Sequence, residues 1–268
     1  MKSNEKGFTV VELLVAVLLA AIVTSAAMAL YIVQHKQLMV QDGVTDMQSS
    51  VRASAAEVTT RVRMAGYKVP EAVIPIVAHN TNPDTIVVAY DCGLTDDIQI
   101  EHAMPQPSAE LRCDGHDLSA LQDDDLLYIY DPLTKTGEFF VATNIQYSSS
   151  HIQHNQGPLS KAYPRGSKIL KIDRYKYYVD NSDANHPNLM LQFGAGAPQI
   201  FAENITNLDV RYVMSSGTIV DVPGVVDMVR EVVFRVDART DDADYDFFNQ
   251  YRTRSLTTRV KVRNLGVN

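Results

Sequence analysis

The chain has 268 residues, of which 46% are apolar and 21% charged, and its formal net charge is -8. That apolar content excludes a disordered chain, and the acidic balance weighs against nucleic-acid binding by wrapped Lys and Arg. Two cysteines exclude a disulfide-dense scaffold and a four-cysteine zinc site.

The first seven residues, MKSNEKG, are polar and carry Lys2 and Lys6. Residues 8–33 (FTVVELLVAVLLAAIVTSAAMALYIV) are apolar apart from Glu12. About 20 helical residues span a hydrocarbon core, so this run is long enough to cross a bilayer. Positive charge ahead of it keeps that end in the cytoplasm. A secretory signal peptide is the simplest alternative. The run is longer than such peptides use, and no small-x-small cleavage site opens into a soluble chain. A carboxylate inside an apolar span is costly and marks a partner.

Residues 34–66 turn polar but keep a helical stripe of Leu38, Val44, Met47, Val51, Ala55, Val58, Val62 and Ala65. Gly66 ends it, with Arg61 and Arg63 in the last turn and Pro70 soon after. The pattern predicts one helix from Phe8 to Ala65, about 85 Å long at 1.5 Å per residue. Its opposite face carries Arg52, Glu57, Arg61 and Arg63 and reads as solvated.

Beyond residue 70 the chain is strand-rich. The predicted strands are Thr85–Tyr90, Asp125–Tyr130, Glu138–Ala142, Ser167–Ile172, Tyr175–Val179, Leu189–Phe193, Ile205–Met214, Met228–Arg239 and Ser255–Arg263. In the last two, Val232, Phe234 and Val236 share one face, as do Leu256, Val260 and Val262. Such alternation indicates antiparallel sheet with one face covered, and the long helix is the obvious cover. Leu94–Gly115 and Tyr147–Gly166 read as long loops, and residues 181–188 as a polar turn. The fold class is therefore α+β: a long N-terminal helix packed on an antiparallel β-sheet head over residues 67–268. The head's size implies a strand-rich insertion rather than a second independent domain.

Lys6-Gly7-Phe8-Thr9-Val10-Val11-Glu12-Leu13 resembles the type IV prepilin signal. The resemblance implies that prepilin peptidase cuts after Gly7, removing leader 1–7, and N-methylates Phe8. Glu12 then becomes the fifth residue of the mature chain, the family's acidic position. Residues 8–33 form the span and filament-core half of the helix, and residues 34–66 its amphipathic half. In an apolar filament core, a free amine and a carboxylate are each costly alone and tolerable as a pair. Glu12 of one subunit would meet the Phe8 amine of a neighbour and set the axial register.

Two shorter stretches narrow the resemblance. Val62-Arg63-Met64-Ala65-Gly66-Tyr67 is similar to the helix end of PilW-type minor pilins. Val260-Lys261-Val262-Arg263-Asn264 is similar to the closing strand of those proteins and of J-type minor pseudopilins of type II secretion. The resemblance places the head outside the cytoplasm, where Cys92 and Cys113 most simply form one disulfide. Closing that loop would contribute about 3 kcal/mol. Two free thiols are the alternative where the compartment is not oxidising.

Asp123, Asp124 and Asp125, and Asp241, Asp242, Asp244 and Asp246, are acidic clusters of a kind that could offer oxygen ligands to Ca²⁺. The second fails the EF-hand pattern, because Phe247 stands at the loop glycine and Thr253 at the closing Glu. Both clusters read as solvated acids. His151-x-x-His154 lacks a third ligand, so no metal or other cofactor is expected. G-x-S-x-G, H-E-x-x-H and phosphate-binding glycine loops are absent from the sequence. The chain reads as no enzyme and as having no nucleotide site, so assembly would draw on a separate ATPase.

The leading reading is a non-catalytic PilW-type minor pilin. It would sit in the inner membrane, work with the assembly platform, other minor pilins and the major pilin, and start or cap a type IV pilus. A J-type minor pseudopilin is the runner-up. A tip adhesin or ligand-binding subunit acting through loops 94–115 and 147–166 is the rival of another class.

Overall fold

The computed structural model describes Gly7, residues 9–154 and residues 157–265. Helix α1 runs Val10–Met64, and Phe8, where the sequence pattern starts the helix, lies outside the described residues. Thr9 is the N-cap. Its hydroxyl accepts the Glu12 N–H at 3.3 Å, and the Glu12 carboxylate accepts the Thr9 N–H at 2.9 Å, a reciprocal capping box. At the far end Gly66 takes φ +78. This left-handed conformation, open to glycine, stops the helix.

The strands follow in chain order. The first eight are β1 (Ile76–His79), β2 (Thr85–Asp91), β3 (Leu111–Arg112), β4 (Leu126–Asp131), β5 (Thr136–Val141), β6 (Asn144–Gln146), β7 (His151–Gln153) and β8 (Lys168–Leu170). The remainder are β9 (Ile172–Asp180), β10 (Asn188–Phe193), β11 (Gln199–Glu203), β12 (Ile205–Met214), β13 (Ile219–Val220), β14 (Val229–Arg239) and β15 (Thr253–Lys261). All named pairings are antiparallel.

Two sheets carry the helix. One is five-stranded, ordered β1-β2-β9-β10-β11, and the other four-stranded, ordered β13-β12-β14-β15. The chain crosses between them at Asn204, held at φ 59. Met47, Val51, Ala55, Val58 and Val62 of the helix join both sheets in one core with Ile86, Tyr177, Leu208, Phe234 and Val260. Each such side chain, fully buried, contributes roughly 1.5–3 kcal/mol. The α+β architecture follows from this: the second half of the helix is the cover that the alternating strands need. Leu38, which the spacing assigns to the stripe, is instead exposed, because the head does not reach that turn with its core.

Residues 92–171 are inserted between β2 and β9. They form two three-stranded sheets, β3-β7-β6 and β5-β4-β8, around a core of their own that includes Ile100, Leu111, Leu127, Ile152 and Ile169. A small cluster of Val73, Ala89, Tyr128, Leu170 and Ile172 joins this unit to the five-stranded sheet. The long loops read at 94–115 and 147–166 thus contain β3 and β7, strands of two and three residues that exist only through their pairing with each other.

Candidate functional site

The N-terminal half of α1 has no cover. Val10, Leu13, Leu14, Val17, Leu18, Ile22 and their neighbours up to Met39 are exposed, and this is the stretch of helix long and apolar enough to cross a membrane. An all-round apolar surface in water is unfavourable, so this half belongs in lipid or among other apolar helices. Glu12 is its one charge. Its carboxylate also accepts the Thr9 hydroxyl at 2.9 Å, so the acid caps its own helix as well as lying in the apolar half. The Thr-x-x-Glu spacing carried that signal in the sequence. Gly7 is exposed, with open space around it.

The two motif segments at the ends of the head meet. The Asn264 side-chain amide donates to the Met64 carbonyl at 3.3 Å and the Ala65 carbonyl at 3.2 Å. These carbonyls would otherwise be left without partners at the helix end. Leu265 lies so near Gly66 that a Cβ there would come within 3.0 Å of its Cδ2.

Along the helix–sheet seam, Glu57 and Arg61 are not solvated as the sequence pattern suggests. Arg61 Nε donates to Glu57 Oε1 at 2.8 Å, its Nη1 to the Tyr90 hydroxyl at 2.5 Å, and its guanidinium lies 4.0 Å from the Tyr175 ring centroid. The Tyr177 hydroxyl donates to the same Glu57 oxygen at 2.9 Å. Burial opposes the Arg61 charge, but Glu57 and Tyr90 outweigh it and keep the group protonated. Burial first, and then Glu57, push the Tyr177 phenol upward. Arg52 and Arg63 remain exposed.

The expected disulfide is not formed. Cys92 and Cys113 are both free. Cys113 is buried in the core of the insertion, whereas Cys92 sits exposed at the end of β2 with its thiol on Asp173 at 3.2 Å. The two sulfurs belong to different packing units, which spacing alone could not reveal.

The acids are largely committed to holding loops. Asp123 accepts the Ile145 N–H at 2.7 Å, and Asp125 pairs with Lys171 at 2.6 Å. Asp244 is buried, contrary to the solvated reading, and pairs with Arg252 at 2.6 Å. That pair holds its carboxyl below the ordinary range. His151 and His154 diverge: His151 faces Glu110 and Asp114, whereas His154 Nε2 bonds the Ala109 carbonyl at 2.9 Å. Among the described residues no group of three or more His, Cys, Asp or Glu side chains is arranged to hold a metal. Tyr245, Phe247 and Phe248, which no motif marks, lie inside the second acidic cluster in the β14–β15 loop. Their alternation with Asp244 and Asp246 was the available signal.

Residues 2–28 match the family model of the prokaryotic N-terminal methylation motif. The chain therefore carries a type IV pilin-like prepilin signal, directly ahead of the uncovered helix. No match is found among curated proteins.

Proposed function

We propose that this chain is a non-catalytic minor pilin of the PilW type, which takes part in starting type IV pilus assembly and stays at or near the tip. The observation that carries the reading is the prepilin signal placed ahead of an apolar half-helix that its own head leaves bare. Prepilin peptidase would remove residues 1–7 after Gly7 and methylate Phe8. Residues 8–33 would hold the subunit in the inner membrane and later pack in the filament core, with the head on the periplasmic side. Residues 34–66 and the head would make lateral contacts to other minor pilins and the major pilin. The union of the helix end at Met64–Gly66 with Asn264 supports the narrower reading, since both segments resemble PilW-type proteins.

Glu12 would serve twice. Within the subunit it caps its helix, and between subunits it would receive the amine of a neighbour's Phe8, so that two groups costly to bury alone are buried as a pair. The test is pilin sheared from the surface of an in-frame deletion strain, complemented with the wild-type gene or Glu12→Ala. Loss of pili in the deletion strain, restored by wild type and only weakly by Glu12→Ala at normal protein level, is expected. Normal pili with failed protein secretion would move the chain to the J-type pseudopilins. Normal pili with lost attachment would make it a tip ligand.

A further inference from the structure

The head meets the helix in a ladder with a defined lower end. Asn264 and Leu265 sit at Met64–Gly66, and Arg254 and Leu256 line a cleft with Gln48 and Arg52. Thr253 and Phe247 line the next with Val44 and Met47. Lowest of these, the β14–β15 loop reaches Lys36 and Gly43. The Lys36 ammonium is 5.9 Å from the Tyr245 ring centroid, and a Cβ on Gly43 would be 3.8 Å from Thr240. A cavity of about 380 Å³ opens there, lined by Lys36, Met39, Gly43, Thr240, Asp244 and Tyr245.

That place on the helix is special. Lys36 is three residues past Val33, the last of the apolar run, or about 4.5 Å along the axis. The interfacial layer on each side of a bilayer is about 5–7 Å thick. The loop therefore falls at headgroup depth when residues 8–33 span the membrane. It presents Tyr245 at 81% exposure, Phe248 at 88% and Phe247 at 40%. Phe248 and Asn249 are both left-handed, at φ 54 and 56. That conformation is costly for a bulky side chain, and here it displays an aromatic ring to the outside. Aromatic side chains gather at membrane interfaces, where a ring can be buried while polar atoms stay wet.

We propose that the β14–β15 loop is an interfacial foot, which rests Tyr245, Phe247 and Phe248 in the outer headgroup layer of the membrane that the helix crosses. The inference rests on the membrane-anchored reading above. The bilayer is the occupant because the loop continues the bare apolar surface of the helix, where Leu38 and Met39 are also exposed. Electrostatics does not drive it. Arg252 is used by Asp244, which leaves Asp241, Asp242 and Asp246 against Lys36, so anionic lipid weakens the contact. The foot holds the head upright over its own span until the subunit leaves the membrane.

The protein contains no Trp, so a single Trp reports one place. The processed full chain, bearing Phe248→Trp or Val17→Trp, is placed in phosphatidylcholine vesicles at high lipid excess. The lipids carry a quencher either at the headgroup or near the chain end. Phe248→Trp is expected to emit to the blue of free Trp and to be quenched by the headgroup label, more weakly once anionic lipid is added. Leu133→Trp, at a hairpin tip 85% exposed on the insertion, gives the solvent baseline. Val17→Trp quenched by the deep label, with Phe248→Trp at the solvent baseline, overturns the foot and leaves the anchor standing. Failure of Val17→Trp to be quenched overturns both. A blue shift at Phe248→Trp that follows protein density, without lipid quenching, assigns the loop to a second copy and overturns the proposal.

Discussion

Asn264 and Ala65 are 199 residues apart in the chain and share a hydrogen bond of 3.2 Å. The amide of Asn264 also serves the Met64 carbonyl, so the last strand of the head closes the end of the helix that begins it. Asn264→Ala leaves two helix-end carbonyls to water and should lower the stability of the head by about 1 kcal/mol. Gly66→Ala should cost more, because φ +78 disfavours alanine and its Cβ would press on Leu265. Urea unfolding of the two variants in detergent checks the order. Equal midpoints with wild type would show that this closure carries no stability.

Glu57 is the hinge of the buried polar seam, since Arg61 and Tyr177 both donate to its Oε1. Tyr177→Phe deletes one donor and should cost about 1 kcal/mol, whereas Glu57→Ala strands two partners and should cost about 3 kcal/mol. A double-mutant cycle over Glu57 and Tyr177, followed by denaturant unfolding, should give a clear coupling energy. Strict additivity would place the two residues in separate environments.

The insertion should respond to acid on its own. Lys161 bonds Asp131 at 2.7 Å and outweighs the effect of burial, with Thr134 and the Leu133 and Thr134 N–H groups adding to it. Together they hold the carboxyl down to about 2. A carboxyl lowered in the fold stabilises above its unfolded value of about 3.9, and that contribution is lost as pH falls toward 2. Hydrogen exchange in the β4–β5 turn should therefore accelerate between about pH 4 and pH 2. Asp131→Asn should abolish that pH step and open the turn at neutral pH as well.

Both thiols should be found reduced and slow. Burial lifts Cys113 to about 12, and burial with the Asp173 contact lifts Cys92 to about 11, so neither is a thiolate at neutral pH. Alkylation without reductant, read by intact mass, should leave Cys113 unmodified in the folded chain and label both after unfolding. A peptide linking Cys92 to Cys113 would show that the mature protein differs.

Much of the fold is legible in the residues because β-branched and aromatic runs carry their own pattern. Ile205–Met214 is read with the bounds it has, and Val229–Arg239 within one residue. The strands that escape are Ile76–His79 and Gln199–Glu203, edge strands of four and five residues whose neighbours define them, together with the short strands of the insertion. Partnership hides other features. Glu57 and Arg61 look like a wet face because the tyrosines that cover them lie far along the chain, and the cysteines look like a pair because nothing local says that Cys113 turns inward. The prepilin segment is the reverse case. Its chemistry is written in adjacent residues, which is why Gly7, Phe8 and Glu12 can be named from sequence, although the capping role of Glu12 emerges only once the helix start is located at Thr9.

Asp91 and Ile172, the residues on either side of the insertion, face each other in register on β2 and β9. Residues 92–171 thus leave the sheet and return to it at one spot, as a passenger boards and alights at the same door. A turn of a few residues could rejoin the two strands as an ordinary hairpin without moving the helix, the seam or the prepilin segment. The molecule is in this sense two layers of construction: a carrier that anchors and assembles, and a cargo that can be exchanged or replaced by a reporter. What the surface at the far end displays is thereby free to change from one such protein to another while the machinery that exports it stays as it is.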